Sequence, residues 1–139
     1  MKIGIDVHGV IDSAPEVFSR LTRILSIQGH EIHIITGGEL CDELLQKLDT
    51  LEITYHKVFS ITSYHKKIGT HMVFKNGDPS HPMIAPTKWD PTKAEYCDKE
   101  GIDIHIDDSE VYKRYFEKNC QYILFSPAIK EFLLTLLSH

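Results

Sequence analysis

The opening stretch, Lys2-Ile3-Gly4-Ile5-Asp6-Val7-His8-Gly9-Val10-Ile11-Asp12, constrains the fold more than any other part of the chain. Ile3, Ile5 and Val7 alternate as a short strand does, and the apolar pattern then stops. Asp6 falls where that strand runs out, and Gly9 supplies the flexible backbone needed to leave it. A carboxylate at the end of a buried strand is costly unless a cation or several donors face it. In open α/β sheets, ligands gather outside the carboxyl ends of the strands. Asp6 is therefore the first candidate for chemistry. The competing explanation is the commoner one for a lone strand-end Asp, a helix cap or a turn.

The rest of the chain alternates strand and helix patterns. Asp12 or Ser13 is placed to cap a helix with Pro15 in its first turn, followed by Val17, Phe18, Leu21, Ile24 and Leu25 at helical spacing. Ile32, Ile34 and Ile35 predict a second strand closing on Thr36-Gly37-Gly38, and Leu40, Leu44, Leu45 and Leu48 a second helix. A third strand is expected from Lys57 to Ile61. From Thr62 to Asp90 the periodicity fails, with Val73 and Phe74 opening a hairpin that turns at Asn76-Gly77. This irregular insertion reads equally as a functional loop or a plain surface excursion. A helix starts at Pro91-Thr92-Lys93, and Ile102, Ile104 and Ile106 form a strand ending on Asp107-Asp108. Ser109 caps a helix through Val111, Tyr112 and Tyr115, before a strand from Tyr122 to Phe125 and a final helix from Pro127. The alternation predicts one α/β domain over residues 1–139, a parallel sheet with helices on both faces.

Composition narrows the function classes. The net charge of −5 argues against nucleic-acid binding as the main role, leaving room for a local basic patch. Cys41, Cys97 and Cys120 have no metal-like spacing and read as reduced thiols of a cytoplasmic protein. No signal peptide is visible, and the apolar run Phe132 to Leu137 is too short to span a bilayer. The expectation is a soluble, cytoplasmic chain with no membrane partner.

In a parallel sheet the strand ends share one edge, so Asp6, Thr36, Asp107 and Asp108 are expected to converge there. Lys93 points at the same edge from the helix leading into the Ile102 strand, with Lys88 as its nearby competitor. Carboxylates gathered at one place repel unless a cation intervenes, and hard oxygen ligands suit Mg²⁺. A Lys and a Thr hydroxyl beside such a cation offer donors to a phosphoryl group. An Asp carboxylate can also serve as nucleophile, giving an aspartyl-phosphate that water cleaves. These residue types point to metal-assisted phosphoryl transfer.

The pattern resembles the haloacid dehalogenase superfamily of phosphatases over nearly the whole chain. Asp6-Val7-His8-Gly9-Val10 is similar to its first motif, Asp-x-Asp-Gly-Thr/Val; Thr36 to its second; Lys93 to its third; and Asp107-Asp108-Ser109 to its fourth. The resemblance implies a three-layer, Rossmann-like α/β/α fold. It makes Asp6 nucleophile and Mg²⁺ ligand, Asp108 a second ligand, and Asp107 a holder of metal-bound water or a sharer of the metal. Thr36 and Lys93 would grip the phosphoryl group. The departure is His8, where the family's phosphatases carry the Asp that acts as general acid and base. The metal contact at that position is a backbone carbonyl, so His8 is compatible with metal binding, and an imidazole titrates near neutral pH.

Only one helix separates the first two strands, so the family's usual cap is absent there. The 62–90 insertion leaves room for a minimal one. His65, His71, His81 and Lys66-Lys67 are placed to touch a substrate, though solvated loop positions explain the histidines better. The expected activity is a Mg²⁺-dependent phosphohydrolase acting on a phosphorylated metabolite or nucleotide. The alternatives are a non-catalytic phosphate-binding module of the same fold, and hydrolysis of a carbon–halogen or carbon–phosphorus bond.

Overall fold

Short isoleucine-rich strands lie side by side because each has one residue in two to bury on each sheet face. The computed structural model describes residues 1–78 and 82–138. In chain order its elements are β1 (Lys2–Ile5), α1 (Pro15–Ile27), β2 (Glu31–Thr36), α2 (Asp42–Thr50), β3 (Lys57–Ser60), α3 (Ile61–Ile68), β4 (Val73–Phe74), β5 (Pro82–Met83), α4 (Pro86–Trp89), α5 (Thr92–Glu100), β6 (Ile104–Asp107), α6 (Glu110–Lys113), β7 (Gln121–Leu124) and α7 (Pro127–Leu137). A five-stranded parallel sheet runs in the order β3-β2-β1-β6-β7. This is a Rossmann-like α/β fold, as the alternation of patterns predicts.

Register explains the core. Val58, Ile34, Ile5, Ile106 and Ile123 sit abreast across the sheet. They face a cluster supplied by Phe18 and Leu21 of α1, Leu48 of α2 and Leu133 of α7. The fully buried aliphatic side chains among them, Ile5, Ile34 and Leu48, each stabilise the fold by about 2 kcal/mol. The opposite face carries Ile35 packed with Cys97 of α5, Ile102 and Cys120. That face also holds polar groups: His33 is wholly buried, with Nδ1 2.7 Å from the Tyr96 hydroxyl and Nε2 2.6 Å from Glu31 Oε1. These contacts tie α5, and with it Lys93, to the sheet. Gly4 belongs to the same row, where a Cβ would lie 2.6 Å from Ile35 Cδ1 and 2.8 Å from His105 Nδ1.

Several sequence expectations need correction. The 62–90 stretch is not irregular from its start, because α3 occupies residues 61–68 and Ile61 opens that helix instead of closing the strand. Its buried stripe is Ile61, Thr62 and His65, so polar residues fill positions where a hydrophobic period is sought. The Ser60 side chain caps it by accepting the Ser63 N–H, and Gly69 ends it at φ 75°. Val73–Phe74 does pair antiparallel with Pro82–Met83, and Asn76 and Gly77 take positive φ, but the connection is longer than a two-residue turn. Pro79 and His81 lie outside the described residues. Neither Asp12 nor Ser13 caps α1: Ala14 precedes Pro15, and the Ser13 hydroxyl donates to the Gly9 and Val10 carbonyls. Tyr115 falls beyond α6, although Ser109 caps that helix as expected. Among the described residues, no helix is long and apolar enough to cross a membrane.

Candidate functional site

Asp6 and Asp107 are brought together by strand register. Each is one residue beyond the paired Ile5 and Ile106, so both carboxylates leave the sheet side by side on the face that α5 covers. Lys93, in the first turn of α5, reaches between them. Its Nζ lies 3.0 Å from Asp6 Oδ1 and 2.7 Å from Asp107 Oδ2, with all three side chains buried. Lys88, the competitor, is exposed; only its backbone takes part nearby, its carbonyl accepting the Thr92 hydroxyl.

The two carboxylates differ in surroundings and so in charge. Burial works against ionisation of Asp107, but the His105 Nε2–H at 2.9 Å and Lys93 outweigh it and hold that carboxyl far below the usual range. The Ser109 N–H adds a third donor, to Oδ1. Asp6 has Lys93 alone as a charged partner. Burial pushes it up to about 7, with Asp107 adding repulsion and Lys93 only partly offsetting both. Burial also works against the Lys93 cation, yet the flanking carboxylates prevail and raise it above the ordinary lysine value. His105 is wholly buried and held neutral by that burial. Its Nε2 therefore carries the hydrogen, and its Nδ1 is the one buried side-chain nitrogen or oxygen without a hydrogen bond among the described residues.

Asp108 stands exposed beside this pair. Carboxylate oxygens of Asp6, Asp107 and Asp108 all lie within 4.8 Å of one another, a grouping able to hold a metal ion. Gly9 makes room for it: at φ 78°, a Cβ there would meet Asp108 Oδ2 at 1.9 Å. Asp107 Oδ2 already accepts two hydrogen bonds, so Oδ1 is its oxygen with capacity for a cation.

His8 is also at this edge, lining a cavity of about 310 Å³ with Asp6, Gly37, Lys93, Asp108 and Tyr112. Its side chain is 73% exposed, and Nδ1 lies 3.1 Å from Asp12 Oδ2, whose other oxygen takes Lys47 Nζ at 2.6 Å. Because the carboxylate accepts, Nδ1 donates and Nε2 is left for other partners. Thr36 is buried, and its Oγ1 accepts the Gly38 N–H at 3.3 Å. It lines a neighbouring cavity with Glu43 and Lys47, which His8 shares. Thr36 thus sits one step around the rim from Asp6 and Lys93. The turn after it is held by the Ser60 and Thr62 hydroxyls, which donate to the Gly38 and Gly37 carbonyls.

The 62–90 residues divide. His65 is not a solvated loop residue: it is buried, with Nδ1 2.7 Å from Thr70 Oγ1 and Nε2 2.8 Å from Thr92 Oγ1. It braces the start of α5 next to Lys93. Lys66 pairs with Glu39 at 2.6 Å. Lys67 and His71 are exposed, and His71 lines a separate cavity with Val73 and Met83. His81 lies outside the described residues.

Sequence reasoning missed His105, Asp12 as a partner of His8, Trp89 and Tyr112. Two of these had a signal. His105 is two residues before Asp107 on one strand, hence on one face, and Asp12 follows His8 by four residues. No family model matches the sequence, and a search of curated proteins finds no match.

Proposed function

We propose that this chain is a Mg²⁺-dependent phosphohydrolase of the haloacid dehalogenase type, acting on a phosphorylated metabolite or nucleotide. The observation that carries the reading is Lys93 buried between Asp6 and Asp107 with Asp108 alongside, in the motif order of that superfamily. The residues fit the cation. Three carboxylates face one ammonium, and burial with repulsion from Asp107 pushes Asp6 up to about 7 despite Lys93. Oxygen-only donors suit Mg²⁺. Asp6, Asp108, Asp107 through Oδ1 and the His8 carbonyl would hold it. When bound, Mg²⁺ supplies charge that offsets the phosphoryl oxygens and keeps Asp6 ionised.

In this reading Asp6 uses Oδ2, the oxygen that Lys93 does not hold, to attack phosphorus. The bond from phosphorus to the leaving oxygen breaks, and an aspartyl-phosphate forms. Lys93 has one ammonium hydrogen beyond those spent on Asp6 and Asp107, and gives it to the phosphoryl group. His8, with Nδ1 anchored on Asp12, acts as the imidazolium and gives its Nε2 proton to the leaving oxygen, which leaves the neutral ring with its hydrogen on Nδ1. It then accepts one from the water that cleaves the intermediate.

The test is hydrolysis of an aryl phosphate with and without Mg²⁺, comparing the wild type with Asp6→Asn. The expected result is Mg²⁺-dependent turnover that vanishes in Asp6→Asn. A second reading, a non-catalytic Mg²⁺- and phosphate-binding module, is favoured by the exposure of His8 at the family's general-acid position. Mg²⁺ binding without turnover in the wild type overturns the first reading in favour of the second.

A further inference from the structure

A phosphoryl group presents three equatorial oxygens, and the site as described offers it few donors. Lys93 has one hydrogen left. The Thr36 hydroxyl opens into the neighbouring cavity. The Ser109 hydroxyl accepts the Val111 N–H and keeps its own hydrogen for a second partner. The second hydroxyl side chain on the cavity wall is Tyr112, whose ring centroid lies 5.1 Å from Lys93 Nζ.

Tyr112 is held in an unusual way. Its hydroxyl oxygen accepts the Trp89 indole N–H at 2.8 Å, and among the described residues its own hydrogen has no acceptor. Trp89 comes from the end of α4 and rests on the turn after β2: a Cβ at Gly37 would lie 3.0 Å from its Cζ2. The indole therefore fixes the phenol from one side and leaves its hydrogen to be donated elsewhere. Neither ring belongs to the hydrophobic clusters on the two sheet faces, so core packing does not account for their meeting. It joins three points far apart in sequence, the turn at Gly37, the end of α4 and the middle of α6, and two of them, Gly37 and Tyr112, line the same cavity.

We propose that Tyr112, oriented by Trp89, is an oxyanion-binding residue whose hydroxyl donates to the phosphoryl group held by Lys93. This rests on the phosphohydrolase or phosphate-binding reading of the site. The ligand class is a tetrahedral phosphate or phosphate monoester. Trp89 acts through Tyr112 and is a positioning residue.

The experiment titrates the full chain with inorganic orthophosphate in saturating Mg²⁺, by calorimetry and by emission of Trp89, the single tryptophan. The wild type should bind saturably with a change in Trp89 emission. Tyr112→Phe keeps the ring beside Lys93 and should raise the phosphate Kd about tenfold, the scale of one hydrogen bond to a charged group. Trp89→Phe leaves the hydroxyl but frees it, and should raise Kd about threefold with the melting temperature nearly unchanged. A Tyr112→Phe protein that binds phosphate within about twofold of wild type overturns the Tyr112 assignment and leaves the site reading standing. A wild type that binds no phosphate overturns both.

Discussion

Replacing Lys93 with Met keeps the unbranched stem of the side chain and removes the ammonium that Asp6 and Asp107 share. Two pairings are lost, at 3.0 and 2.7 Å, in a place where the lysine is only 2% exposed. Removing one partner of a buried ion pair typically costs about 3–5 kcal/mol, because the remaining charge is left uncompensated. Here pH divides that cost. At pH 6 Asp6, pushed up to about 7 by burial, is already largely protonated in the folded wild type, so the variant loses mainly the Asp107 contact. The expected loss there is about 2 kcal/mol. Above pH 7 the wild type ionises Asp6 against Lys93, whereas the variant, lacking the ammonium, keeps the proton. The unfolded chain holds no proton on Asp6 at these pH values. Each pH unit above 7 therefore costs the variant up to about 1.4 kcal/mol that the wild type does not lose. By pH 9 the deficit should approach about 4–5 kcal/mol. Urea denaturation of both proteins at pH 6 and pH 9 measures it. Equal deficits at the two pH values would refute the coupling of Asp6 to Lys93.

Further expectations follow from the same geometry. Gly9→Ala places a Cβ against Asp108 at positive φ, and should cost about 1–2 kcal/mol in thermal unfolding and weaken Mg²⁺ binding by titration. Gly4→Ala overfills the row between Ile35 and His105 and should cost about 1–3 kcal/mol in urea melts, whereas Gly29→Ala meets nothing within 4 Å and should cost only the strain of its φ of 89°. Because Asp6 titrates near 7, Mg²⁺ binding should release about one proton at pH 6 and almost none at pH 9. Calorimetry in buffers of different ionisation enthalpy reads this, and a release that does not vary with pH would count against Asp6 as a ligand.

How much of this was legible in the sequence depends on which physical rule places each residue. Asp6 and Asp107 end isoleucine-alternating strands, and a parallel sheet must bring such ends to one edge, so their meeting follows from pattern alone. Lys93 follows from its place at a helix start. Helix α3 was hidden because its buried side is Thr62 and His65, satisfied by hydrogen bonds instead of apolar contact, and a hydrophobic period cannot register them. Trp89 left no trace at all. Its partners Gly37 and Tyr112 are set by tertiary packing, and no spacing rule links the three positions.

His8 shows where a motif stops being informative. Its letter departs from the pattern of the superfamily it resembles, and the letter alone leaves a substituted acid, a changed reaction and lost turnover open. The surroundings add what the letter lacks. Asp12, which the sequence offered as a helix cap, instead receives His8 Nδ1 and is itself held by Lys47 of α2. Ion pairs this exposed contribute little to stability, about 0–1 kcal/mol, so folding gives no strong reason for the arrangement. What it does accomplish is to fix the imidazole in the tautomer that leaves Nε2 free, on a wall common to the Asp6 cavity and the Thr36 cavity. Under the proposed phosphohydrolase reading, a residue that borders both halves of the rim with Nδ1 anchored has Nε2 placed for proton transfer. That placement is the physical ground for preferring a substituted acid to a silent one.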